Sequence, residues 1–476
     1  MSLRSFGIVL HHCSKVLPIL GSFFFDLIKS FVNYARNTRD QGKSSAKDLK
    51  VLWKSFEFLQ VRVLGAAKEV GRSAFQVNCD GASFLLDYGV ELKKESLYPI
   101  AVDPHEINAA IITHAHLDHS GNMPSLFVNG STDVYATPPT FDLSRLLIED
   151  MLRIQKSHLP YDFASVSKMM MHSKEIKYKE KIERGNASFQ LLESGHVLGG
   201  AAVLVESENK RLFYTADINP KGSRMLREAD LDFGEVDMVI TESTYSQTNQ
   251  MPRNESEEKF MEFAYEVLDR KGSLFVPAFS VERSQEIACV LKNAGFKHRV
   301  VMDGMAVKVN EIMLNYPEYL RDAKVFADSV HQAVWIKGEK ERKSALSEPS
   351  VIISPAGMLV GGSAVFYLQN LAADKRNGIA LVSYQGEGTP GRKLLDTGMV
   401  GMRGKEFKCE AEVRQFEFSG HADRNSLFEM MKKIKGNPKV LTVHGDKDSC
   451  TKFADEIHEK FGFDAYAPDA GETITV

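Results

Sequence analysis

From Phe56 onward the chain alternates short apolar runs with segments of helical period, and several of the apolar runs end on a polar, chemically capable residue. Phe58 to Val63, Phe84 to Tyr88, Ala109 to Thr113, Leu212 to Thr215 and Met238 to Thr241 are predicted strands of this kind. After Thr244 the rhythm becomes a regular strand–helix alternation. Phe260, Phe263, Ala264, Val267 and Leu268 share one helical face, Gly272 closes that helix, and Leu274 to Phe279 reads as a buried strand. Arg299 to Met302, Val351 to Ser354 and Ile379 to Tyr384 are further apolar runs, predicting a small parallel sheet. Past residue 408 the earlier pattern returns, with FEFSGHAD at 416–423, a helix capped by Asp423, and KVLTVHGD at 439–446. A chain that begins one layer, leaves it and comes back predicts an inserted domain: 51–245 and 409–476 as the two parts of one α/β domain, 246–408 as the insert, and 1–50 as an extension.

Composition narrows the class. With 476 residues, 43% hydrophobic and 26% charged, the chain has enough apolar mass for large cores, which excludes disorder, collagen and a small disulfide scaffold. The net charge of −4 argues against a globally basic nucleic-acid coat protein. Five scattered cysteines, with no C-x-x-C pair, are expected to be the reduced thiols of a cytoplasmic protein. The first fifty residues carry eight Lys/Arg against three Asp/Glu around the apolar stretch Phe6 to Val32. Lys15, Asp26 and Lys29 leave its uncharged runs too short to span a bilayer, and no small-residue cleavage site follows. An amphipathic or poorly ordered extension with no stable membrane association is expected there.

The strongest chemical signal is His114-Ala115-His116-Leu117-Asp118-His119, directly after the run AAIIT. Three imidazoles and a carboxylate within six residues offer nitrogen and oxygen donors suited to zinc. One such cluster cannot complete two coordination spheres, so further ligands must come from downstream strand ends. His196 in LESGHVLGG and Asp217 in LFYTADIN are the candidates, and Asp217 could bridge two metals through its two carboxylate oxygens. Two divalent ions about 3.5–4 Å apart can clamp both the attacking and the leaving oxygen of a phosphodiester.

With these motifs the sequence resembles the metallo-β-lactamase superfamily and, within it, the β-CASP nucleases. Asp87 in FLLDYG, the cluster at 114–119, His196 and Asp217 match the four lactamase-type motifs; Glu242 in ITESTY, His421 in FSGHAD and His444 in TVHGD match the three β-CASP motifs. The resemblance covers nearly all of 55–476. It implies an αββα metallo-β-lactamase sandwich in two segments with a β-CASP α/β domain inserted between them. It also implies two zinc ions: His114, His116 and His196 on one, Asp118, His119 and His444 on the other, Asp217 bridging, and Asp87 orienting the histidines. Glu242 and His421 are implied to form a carboxylate–histidine pair that gives a proton to the leaving oxygen, a pairing that raises the histidine pKa as that task requires.

Two further segments read as phosphate cradles: SPAGMLVGGS, with Ser354, Gly361 and Gly362, and YQGEGTPGRKL, with Arg392 and Lys393. Ordinary strand–helix turns are an equal reading of these loops taken alone; within the family they match positions lining the nucleic-acid cleft. His444 resembles the RNA-acting members, and YQGEGTPGRKL resembles the archaeal cleavage and polyadenylation specificity factor group without KH domains. The resemblance therefore implies a zinc-dependent ribonuclease, endonuclease or 5′→3′ exonuclease or both, with RNA as substrate and a homodimer as its assembly. A small-molecule metallohydrolase and a non-catalytic RNA-processing subunit are the alternatives; the insert argues against the first and the full ligand set against the second. The charges support a local grip on RNA, since 51–245 and 409–476 carry −7 and −4 where metals are expected, whereas 246–408 carries +2.

Overall fold

Alternation of fully buried side chains builds two seven-stranded sheets that face each other. The computed structural model describes residues 59–476, apart from 92–96, 156–158 and 403–404, so the extension at 1–50 lies outside the described residues. The first sheet runs, edge to edge, through Thr473–Thr475, Leu59–Val63, Phe75–Cys79, Ala82–Leu86, Ala109–Ile111, Val134–Ala136 and Ser173–Glu175. The second runs through Asp464–Tyr466, Lys439–Val443, Met238–Glu242, Arg211–Tyr214, Ala201–Glu206, Ala187–Glu193 and Ile182–Arg184. Phe75, Phe84 and Ile111 from one sheet meet Phe189, Tyr214, Ile240 and Leu441 from the other in a single buried core. The outer faces are covered by helices: Pro138–Gln155 and Phe163–Met171 on the first sheet, Arg424–Lys433 and Lys447–Phe461 on the second. The architecture is thus the four-layer αββα sandwich, and both sheets take strands from before and after the insert.

The insert has its own sheet of six strands, all parallel, in the order Val334–Trp335, Val300–Met302, Val351–Ser354, Leu274–Pro277, Gly378–Leu381, Glu412–Gln415. The helix face read from the sequence packs onto it: Phe260, Phe263, Ala264, Val267 and Leu268 of Arg253–Asp269 are all buried. Glu412–Gln415 lies past the expected boundary at 408 and pairs with Gly378–Leu381, so the chain returns to the sandwich only after Gln415. The sequence shows no apolar run there because this is an edge strand with only part of each residue buried.

The insert is fastened to the sandwich through buried charge. Glu286, fully buried on the insert helix Arg283–Asn293, accepts the backbone N–H groups of Arg224 and Met225 at 3.0 Å each. Arg224 in turn forks onto Glu257 with contacts of 2.7–3.0 Å. The segment so held begins a few residues after Asp217, which ties the position of that carboxylate to the docking of the insert.

Candidate metal centre

Every polar side chain of the centre leaves a strand at the same edge. Ala82–Leu86 runs parallel to Ala109–Ile111, and Arg211–Tyr214, Met238–Glu242 and Lys439–Val443 run parallel to one another. Their carboxyl ends deliver Asp87, the turn at 114–119, Asp217, Glu242 and His444 to one place. Asp87, Ala216 and His444 have φ of 58°, 47° and 50°, the left-handed region that costs a non-glycine residue about 1–2 kcal/mol. Backbone strain of this kind is present where these strands turn abruptly to present their polar side chains, as at other functional sites.

Two groups of four donors result, and a smaller group of three, Asp217, Glu242 and His421, lies beside them. One ligand atom from each of His114, His116, His196 and Asp217 lies within 4.8 Å of the others, and the same holds for Asp118, His119, Asp217 and His444. Asp217 is common to both. Its Oδ2 is 3.6 Å from His114 Nε2 and 3.6 Å from His196 Nε2; its Oδ1 is 3.4 Å from His119 Nε2 and 3.3 Å from His444 Nδ1. Asp118 Oδ2 approaches His444 Nε2 at 3.2 Å.

The outer partners decide which ring nitrogens are free. His119 Nδ1 donates to Asp87 Oδ2 at 2.8 Å, and His196 Nδ1 donates to the carbonyl of Gly420 at 2.9 Å. Thr113 gives its hydroxyl proton to Asp87 at 2.8 Å, so His114 Nδ1, 3.1 Å away, donates to the Thr113 oxygen. Tyr214 completes the cage on Asp87, its hydroxyl donating at 2.9 Å. The Nε2 lone pairs of His114, His119 and His196 are thereby turned inward, the arrangement that metal-binding histidines require.

Electrostatics points the same way. Burial, with neighbouring imidazoles, holds His114 and His196 well below the usual histidine range, and burial likewise lowers His116, so these rings are neutral and their lone pairs available. His119 differs: the carboxylates of Asp217 and Asp87 overcome burial and raise it well above its ordinary value, so without a cation between them its Nε2 holds a proton toward Asp217 that a metal ion would displace. Asp217 and Asp118 are depressed despite burial, by His444, His119 and His421 around the first and by the His444 hydrogen bond and His119 around the second. His114 Nε2 and Asp217 Oδ1 are buried with no hydrogen-bond partner. Unpartnered buried acceptors of this kind cost about 1–3 kcal/mol each, a cost that cations between them would remove. The residues present therefore fit a metal pair.

Beside it, His421 Nδ1 contacts Glu242 Oε2 at 2.8 Å, while Glu242 Oε1 accepts the backbone N–H of Ile218 at 2.8 Å. His421 Nε2 faces Asp217 Oδ2 at 3.9 Å. Burial would lower His421, but Glu242 and Asp217 push it up to about 9, so it carries a proton at neutral pH. This pair, too, comes from two distant stretches of sequence: the end of the strand Met238–Glu242 and the loop that precedes the helix Arg424–Lys433.

Three stretches of the chain match family models: residues 76–245 the metallo-beta-lactamase superfamily domain, 284–394 the Beta-Casp domain, and 407–468 the Zn-dependent metallo-hydrolase RNA specificity domain. RNase aCSPSF2 of Saccharolobus solfataricus is 32% identical over 98% of this chain and 94% of its own length. The chain is a β-CASP metallo-β-lactamase protein. Another relative, transcription termination factor FttA of Pyrococcus abyssi, is 35% identical over 88% of this chain and 71% of its own. A solved Enterococcus faecalis V583 protein of unknown function shares the fold, with a TM-score of 0.58 at 14% identity over 88% of this chain and all of that one.

In this β-CASP protein the expected cradle residues are placed differently from the candidate metal ligands. Ser354 is fully buried and its hydroxyl is bonded to Ser363 Oγ at 2.6 Å, so it braces its own loop and does not fit the role of a free phosphate donor. The backbone at Gly361 and Gly362 is accessible, with φ of 64° at Gly362. Arg392 pairs with Asp396 at 2.9 Å and Lys393 with Glu406, all about half exposed, which leaves both cations exchangeable. Sequence reasoning missed Thr113, Tyr214 and Gly420, whose roles depend on long-range packing that no local motif marks. Among the described residues no helix is long and apolar enough to cross a membrane.

The turn that carries the ligands is pressed onto a glycine. Ser73, Tyr88 and Val90 donate backbone hydrogen bonds to the carbonyls of Asp118, His119 and Leu117 at 2.8–2.9 Å, and a Cβ at Gly89 would lie 1.7 Å from the Asp118 oxygen. Gly89→Ala is expected to cost about 3 kcal/mol and to lower bound metal in parallel, measurable by thermal melting and elemental analysis.

Proposed function

We propose that the chain is a zinc-dependent ribonuclease that hydrolyses RNA phosphodiester bonds, as endonuclease, 5′→3′ exonuclease or both, in RNA processing or decay. The observation that carries this reading is one carboxylate, Asp217, shared by two ligand clusters and faced at 3.9 Å by the protonated His421. Bound there, a pair of divalent ions would supply charge neutralisation of the phosphate and an activated water. His114, His116 and His196 would hold one ion, Asp118, His119 and His444 the other, with Asp217 between them, and Asp87 would keep the histidine rings in register. His421 stands to give a proton to the departing oxygen, and Glu242 stabilises the imidazolium while that proton is held. The full set of buried nitrogen and carboxylate donors favours zinc. The names of the relatives, RNase and transcription termination factor, support RNA as the substrate.

The test offers the purified protein 5′-labelled and internally labelled RNA, in 5′-monophosphate and 5′-triphosphate forms, with Asp118→Ala as control and elemental analysis of the same sample. Two zinc ions per chain and cleavage lost in the control are expected. Labelled mononucleotides from the monophosphate form alone would mean 5′ exonuclease action, and discrete internal fragments endonuclease action. Equal inertness of wild type and control with zinc bound would defeat the proposal. Chelation should abolish cleavage and lower the melting temperature together, since removing cations leaves Asp217 and the inward-facing lone pairs unsatisfied.

A further inference from the structure

The strand Gly378–Leu381 of the insert is followed by Val382, Ser383, Tyr384 and Gln385, and three of these four are buried. Tyr384 is 61% exposed. Its backbone is clamped on both sides: the Gln385 side chain, 3% exposed, donates to the carbonyls of Ser383 at 2.8 Å and Gly357 at 3.0 Å. Gly391 packs against the same amide so closely that a Cβ there would lie 1.7 Å from Gln385 Oε1. The loop is therefore rigid by construction while the largest side chain on it stands in solvent, the reverse of what apolar burial would select. Nothing larger than hydrogen at Gly386 crowds the ring, since even a Cβ there would only reach ordinary contact, 3.5 Å, with Tyr384 Cε1. Met358 lies beside it and Val360, 64% exposed, stands on the neighbouring loop.

The position of the ring relates it to the catalytic edge. Tyr245 packs edge-on to His421 with ring centroids 6.0 Å apart, and Tyr384 is near enough to Tyr245 for their hydroxyls to interact electrostatically. Tyr384 is within similar electrostatic reach of Arg392. His421, Tyr245, Tyr384 and the exchangeable guanidinium of Arg392 thus lie in one neighbourhood. A flat, largely exposed ring beside a phosphate-handling centre matches the chemistry of an unpaired nucleobase, and a nearby cation matches a neighbouring phosphate.

We propose that Tyr384 is a stacking platform for an unpaired base flanking the scissile phosphate, so that the enzyme takes single-stranded RNA with little preference among bases. The proposal rests on the ribonuclease reading above. Because the platform is preformed, it contributes to holding substrate and leaves the bond-breaking step unchanged. Tyr384 is accordingly a substrate-positioning residue that acts in binding.

The test uses the full chain with its metals and a uridine oligoribonucleotide carrying one abasic nucleotide, moved stepwise past the cleavage position. Cleavage kinetics are paired with binding by fluorescence anisotropy in a His421→Ala background. Tyr384→Ala is expected to raise KM and Kd about 5- to 150-fold with kcat nearly unchanged, and Tyr384→Phe to keep wild-type values. Tyr384→Leu, which keeps apolar bulk without a flat π face, should behave like Ala. In wild type one abasic position should weaken binding by a similar factor, and Tyr384→Ala should be insensitive at that position. Wild-type KM and Kd in Tyr384→Ala, full rescue by Leu, or unchanged abasic sensitivity in the Ala variant would each overturn the platform while leaving the ribonuclease reading intact. A wild-type protein that neither binds nor cuts RNA would overturn both.

Discussion

Asp217→Asn is expected to reduce RNA cleavage by about a thousandfold or more and to cut bound metal below two ions per chain, measured by kinetics and elemental analysis on the same preparation. The carboxylate is the one group common to both donor clusters, and four imidazoles surround it. The amide keeps its shape but loses its charge and one of its two acceptors. Neither cluster is then complete, and the attraction that holds the two cations close together is removed. Retention of both ions with only a small loss of rate would mean that Asp217 does not bridge.

The second large effect concerns proton transfer. His421→Ala is expected to lower kcat about 100- to 10,000-fold on RNA while both metals stay bound. The distinguishing measurement is a phosphodiester with a nitrophenolate leaving group, which departs without needing a proton; on that substrate the variant should lose little. An equal loss on both substrates, or loss of metal, would remove His421 from the role of proton donor. Glu242→Gln gives the matching pH signature. The pKa of His421 is raised, so the active, protonated form is present below about 9 and is lost as the pH rises through that value. Removing the Glu242 charge takes away its largest raising influence, so the alkaline limb of the rate profile should move to lower pH. A limb that stays in place would assign it to another group.

The residues that converge on the candidate centre were legible in the sequence for a physical reason. His114, Asp217 and His444 each follow closely on a short apolar strand, and a strand end of a layered fold is where polar side chains can reach one site. Strand termini were less legible. Phe84 to Tyr88 reads as one apolar run, but the strand ends at Leu86 because Asp87 turns into left-handed backbone to aim its carboxylate. Likewise the run to Phe279 ends at Pro277, where the chain turns toward the helix that carries Glu286. Glu412–Gln415 was invisible because an edge strand need not be apolar. Ser354 misled because a small hydroxyl residue in a glycine-rich loop has the same local signature whether it faces a ligand or, as here, bonds its own loop. In each case the missing information was tertiary, in what stands opposite the residue.

The order in which the ligands occur along the chain has a consequence during synthesis. His114 to Asp217 emerge from the ribosome first, but His421 and His444 come only after the whole insert, and the strand Thr473–Thr475 pairs beside Leu59–Val63. A nascent chain with its early histidines in place lacks His421 and His444 until the insert has been made. The two halves of the candidate centre are thereby joined only once the insert separating them has been translated, so the early histidines alone do not make a complete site.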